Sequence, residues 1–83
     1  MTTKNSWESI APKILKGELL KRGMKYHHLI DKLKEIGIQE TESNIKSKLS
    51  RGSFNVIFFL QALHAIGVKN ILLDDSLFEG IEN

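Results

Sequence analysis

The sequence predicts an all-α domain of four to five helices, and three features carry that prediction. Gly17, Gly23, Gly37, Gly52, Gly67 and Gly80 punctuate a series of helix-length segments, and most of them stand where a helical pattern ends. Within the segments, apolar residues recur at i and i+4 instead of alternating. Pro12 is the only proline, and no Pro/Gly/Ser-rich linker or internal repeat interrupts residues 1–83, so the chain reads as one domain.

The first helix is predicted over about 6–22, with Ser6 or Ser9 as N-cap. Pro12 is admissible there only in the first turn, where a missing N–H breaks no helical hydrogen bond. Ile14, Leu15, Glu18 and Leu19 form one stripe, Lys13, Lys16, Lys21 and Arg22 cover the other side, and Gly23 stops the helix. The second helix, about 26–36, aligns Leu29, Ile30, Leu33 and Ile36 and ends at Gly37, with Asp31, Lys32 and Lys34 outward.

A third helix is expected over about 41–50, with Thr41 as N-cap and Ile45 and Leu49 as its only inward anchors. Its remaining positions are all polar, so it buries one edge and displays a broad hydrogen-bonding face. The fourth, about 53–66 (SFNVIFFLQALHAI), is the most apolar segment and must be the central core helix. Val56, Phe59, Leu60, Leu63 and Ile66 are assigned to its core face. In the tail, 68–83, the run Ile71-Leu72-Leu73 fits either a short strand or a further helical turn. A lone strand needs a partner, most simply its copy in a second subunit.

Composition narrows the function classes. A chain of 83 residues hides only about 60–65% of its unfolded surface, yet 41% hydrophobic and 27% charged residues are ordinary for a globular domain, so a packed core is expected. There is no cysteine, which removes disulfides, thiolate metal ligands and a cysteine nucleophile together. No signal-like start and no membrane-length apolar run is present, so a cytoplasmic protein without a membrane partner is expected. Adjacent His27 and His28 point apart on a helix, and His64 does not complete a metal-like spacing. The serines lack a His/Asp pattern, and no phosphate-cradling glycine loop occurs. No enzyme, cofactor, metal or small-molecule substrate is therefore expected. The net charge of +2 conceals an asymmetry: residues 1–51 hold all the basic residues but Lys69, whereas Asp74, Asp75, Glu79 and Glu82 make the remainder acidic. A cationic first half facing a polyanion would be held there by long-range attraction.

The order of signals over residues 14–73 resembles the lambda-repressor and Cro-like helix-turn-helix families. ILKGELLKRGMKYHHLIDKL is similar to their first helix, glycine and second helix, and SRG followed by FLQALHAIGV is similar to the glycine after the recognition helix and the leucine-rich helix beyond it. TESNIKSKLSRGSFNVIFFLQALHAIGV also resembles a small bacterial family described only as a domain of unknown function. The connection between Gly37 and the third helix is longer than in the repressors, Ser50 replaces a frequent glutamate, and Glu40 and Glu42 place negative charge at the leading end of that helix.

The resemblance implies a DNA-binding regulator that reads a duplex with the third helix, working as a homodimer. Ser43, Asn44, Lys46 and Ser47 are then the expected base contacts, since asparagine pairs bidentately with adenine and lysine donates to guanine. Tyr26 matches a phosphate-touching position of the family, and Lys25, Lys48 and Arg51 are expected to add phosphate contacts. Besides DNA, the apolar surplus on the fourth helix suggests a dimer or partner interface of Phe54, Ile57, Phe58, Ile71, Leu72 and Leu73. Alternatively, Trp7 with Leu77 or Phe78 folds back over that surplus. The rival function is a protein-interaction domain, antitoxin- or adaptor-like, on the same scaffold.

Overall fold

The computed structural model describes residues 7–52 and 54–81. Four α-helices follow one another: α1 Ile10–Lys21, α2 Tyr26–Glu35, α3 Glu42–Arg51 and α4 Val56–Ala65. Short 3-10 turns precede and follow them at Trp7–Ser9 and Asp75–Phe78. The predicted cap Ser6, and Ser53 at the predicted start of the fourth helix, lie outside the described residues.

Pro12 is the third residue of α1, within its first turn, and is buried. Three helices end alike. Beyond α1, the N–H of Gly23 bonds to the Leu20 carbonyl and that of Met24 to Leu19; Gly37 and Ile38 repeat the pattern beyond α2, and Gly67 and Val68 beyond α4. This double closure satisfies carbonyls the helix would leave bare. The residue after each glycine, Met24, Ile38 or Val68, packs against the core. α3 instead ends on Gly52 itself, at φ +77°, where a side chain would run into the carbonyl of Glu8. The turn before α1 is thereby laid against the end of α3.

The core lies where α4 packs on α1 and α2, with α3 packed on α2. Leu15, Leu29, Leu33 and Ile45 are fully buried at its centre, each worth about 1.5–3 kcal/mol relative to exposure. Glu18 is buried beside them. Its Oε1 accepts from Arg22 Nη1 at 2.6 Å and its Oε2 from Lys21 Nζ at 3.1 Å, while Arg22 Nε donates to the Ile66 carbonyl at 3.0 Å. Burial alone would raise the Glu18 pKa; the hydrogen bonds and charges of Arg22 and Lys21 outweigh it and hold the carboxyl below the usual glutamate range. The trio ties the end of α1 to the end of α4.

Two sequence expectations change. On α4 the buried residues are Phe58, Ala62 and Leu63, with Ile66 just beyond, while Val56 and Leu60 are 64% and 59% exposed. The core face is therefore rotated from the predicted one, because a helix apolar all round gives periodicity nothing to choose between. Phe58, expected at an interface, is core. Residues 71–73 form neither a strand nor a helical turn: Ile71 packs against the core, and Leu72 and Leu73 are exposed on an irregular segment leading to the last 3-10 turn. Trp7 and Phe78 do meet, ring centroids 5.9 Å apart. The tail, however, lies along α1, with Leu72 and Leu77 sharing a groove with Lys13 and Lys21, and α4's outer face stays open.

Candidate nucleic-acid interface

α3 owes its exposure to its sequence. Ile45 and Leu49 are its only buried residues, and Thr41 Oγ1 accepts from the Asn44 N–H at 3.1 Å, fixing the start of the helix. Ser43, Asn44, Lys46, Ser47, Ser50 and Arg51 consequently stand on the exposed side. The four expected base contacts thus share one accessible surface. Lys46 Nζ sits 3.1 Å from Glu42 Oε2, but both side chains are more than half exposed. Such a pair contributes about 0–1 kcal/mol, so Lys46 is readily released to a stronger anion.

Two open grooves flank α3 on the α1 side. One, near the start of α3, is lined by Lys16, Lys25, Tyr26 and His27 with Leu20 and Glu42. The other, near its end, is lined by Lys13, Lys16, Ser50 and Arg51 with Glu8. Lys16 belongs to both and joins them. Lys13, Lys16, Lys25 and Arg51 take part in none of the ion pairs among the described residues. Arg51 makes only a long 3.5 Å contact with Ser47 Oγ. Their charges are available to a polyanion.

Lys25, Tyr26 and Arg51, three of the four expected phosphate contacts, line these two grooves. Lys48 does not. Its Nζ is 2.6 Å from Glu40 Oε2 and 4.7 Å from the centre of the Phe58 ring, on the α4 side of α3. Glu40 is itself largely buried, with Oε1 lacking a hydrogen-bond donor, so pulling Lys48 away would strand a buried carboxylate. Lys13 and Lys16 line the grooves instead; the signal for them is their i, i+3 spacing on the polar side of the first helix. Glu40 also proves to be Lys48's internal partner, leaving Glu42 as the carboxylate of α3's first turn.

Of the six residues expected at an apolar interface, Phe54, Ile57 and Phe58 line one groove, whereas Ile71 and Leu72 line another along α1. Phe54 is half-buried against Phe58 and Phe59, and Ile57 is exposed on the groove that holds Glu40 and Gln61. Leu72 lies in the groove along α1. Within the described residues, no helix is long and apolar enough to cross a membrane.

A family model matches residues 7–71, from the first 3-10 turn through the segment that leaves α4. The chain belongs to the family described as a domain of unknown function, DUF6471. No curated protein matches the chain, and no solved structure does. The match takes in all four helices of this DUF6471 domain and both cationic grooves, and it leaves out the 3-10 turn at Asp75–Phe78.

Proposed function

We propose that this DUF6471 domain is a duplex-DNA-binding regulator on a lambda-repressor-like helix-turn-helix scaffold, with α3 as the reading helix. One observation carries the reading: α3 is held by two anchors only, and its polar side lies beside grooves lined by four unpaired cations, Lys13, Lys16, Lys25 and Arg51. Ser43, Asn44, Lys46 and Ser47 read base edges in the major groove. Lys13, Lys16, Lys25, Tyr26 and Arg51 hold phosphates and set the register. The charge supplies affinity for any duplex, and α3 supplies the preference among sequences.

Selection of tight binders from a random duplex pool, followed by titration of the selected duplex, tests the assignment. Replacing Asn44 and Lys46 by alanine is expected to abolish preference for the selected duplex while leaving helical content intact. Unchanged affinity refutes the base contacts, and absence of binding to any duplex at low salt refutes the function. A second reading, a protein-interaction domain of antitoxin or adaptor type, draws on the exposed apolar side of α4. Salt separates the two: binding through phosphates weakens steeply as salt rises, whereas an apolar contact does not.

A further inference from the structure

We propose that the groove between the end of α3 and the start of α4 binds the C-terminal carboxylate of a peptide whose last residue is apolar. It contains an acceptor with nothing to accept. Glu40 lines this groove with its side chain only 9% exposed, and its Oε1 meets no donor among the described residues. A buried acceptor in that state favours a ligand that brings a donor. Lys48 Nζ already holds Oε2 at 2.6 Å and lies over the Phe58 ring. A second ammonium at this carboxylate is therefore repelled, and a neutral N–H fits.

The rest of the groove calls for negative charge. Arg51 lines it, exposed and without an ion-pair partner among the described residues. α4 also begins there: Asn55 and Ile57 line the groove, and Asn55 Oδ1 accepts from the Phe58 N–H at 2.8 Å, so the positive end of that helix dipole borders it. With Glu40 neutralised by Lys48, Arg51 leaves the groove positive. A bare anion does nothing for Oε1, and a bare cation meets Lys48 and Arg51. The last residue of a peptide answers both demands, because it joins a neutral N–H to a carboxylate through one carbon. Its N–H donates to Glu40 Oε1, and its carboxylate accepts from Arg51 and the start of α4. Its apolar side chain lies on the half-buried Phe54 and on Ile57, which is 61% exposed. Arg51 also lines the groove that holds Lys13 and Lys16, so peptide and duplex compete for it. That last consequence rests on the DNA reading of α3; the peptide site does not.

The probe is acetyl-alanyl-leucine with a free carboxylate, titrated into isotope-labelled protein to millimolar concentration and followed by amide NMR. Saturable shifts are expected at the Ile57 backbone N–H and at the side-chain amides of Asn55 and Gln61. The same compound with its carboxylate amidated, or with its last amide nitrogen methylated, is expected to bind roughly tenfold more weakly or worse. Neither change touches the protein, so folding does not enter the comparison. Arg51→Gln is expected to cause a similar loss with unchanged circular dichroism. Absence of saturable shifts at these three residues overturns the site, as does binding indifferent to amidation, to methylation or to Arg51→Gln. A protein that takes up the peptide and has no affinity for duplex DNA at low salt upholds the site and overturns the α3 reading.

Discussion

α3 and α4 are each ten residues long, and each starts where a side chain, Thr41 or Asn55, accepts from the backbone N–H three residues on. α3 then buries two residues and gives every other position to polar side chains. α4 buries one side and still has Val56, Ile57 and Leu60 outside. Helix length and capping are therefore matched, and what differs is the surface left over: one offers hydrogen-bonding groups, the other apolar area. The contrast teaches that in a domain this small the helices most tightly fixed by sequence need not be the ones most fully used by the core.

The largest test of that contrast removes an inward anchor and an outward residue of similar size. Ile45→Ala is expected to cost about 2–5 kcal/mol of unfolding free energy, and Leu60→Ala about 0.5 kcal/mol or less, both read from urea melts. Equal losses would mean that α4's outer residues belong to the core.

A smaller separation is expected between two glycines. Gly52→Ala is expected to destabilise by well over about 1 kcal/mol, because the left-handed backbone and the Glu8 carbonyl both oppose a Cβ. Gly37→Ala meets open space and is expected to lose only about 1 kcal/mol. If the two melt alike, the docking of the first turn on α3 contributes nothing.

On DNA, Lys16→Gln is expected to lower the slope of log affinity against log salt by about 0.9, the loss of one phosphate contact. Lys48→Gln is expected to leave that slope unchanged, since Lys48 is held by Glu40. A reversal of these two results would move the DNA surface to the α4 side.

The mildest prediction concerns pH. Glu18 has its folded pKa below the usual value, so its contribution is fully present above the unfolded pKa of about 4.3 and is lost as pH falls through the folded one. Wild-type stability should therefore fall more steeply below about pH 4.3 than that of Glu18→Gln, as read from urea midpoints across an acid series. Parallel curves would show that the Arg22 clamp does not act through the charge of Glu18.

Helix ends were legible wherever a glycine followed the last apolar residue, as at Gly23, Gly37 and Gly67, and α3 was legible because Ile45 and Leu49 stand alone among polar neighbours. The orientation of α4 was hidden, because a periodic pattern needs polar positions to mark its outer side and the run VIFFL has none. The same lack of contrast hid the irregular course of Ile71-Leu72-Leu73, of which Ile71 and Leu72 line a groove with α1, far away in sequence. Lys48 was misplaced for another reason: its partner Glu40 precedes the helix, so no spacing within α3 reveals the pair. The exposed side of α3 needed only local information, whereas the grooves beside it needed α1 and α2 to be folded against it.

The contact between Trp7 and Phe78 has a practical outcome. Trp7 is the only tryptophan, and its ring lies at the periphery against the tail rather than among Leu15, Leu29, Leu33 and Ile45. Its emission therefore reports whether the two ends of the chain are together, while the far-ultraviolet signal reports the four helices. Recorded side by side during heating, these signals separate detachment of the ends from melting of the centre without any added label.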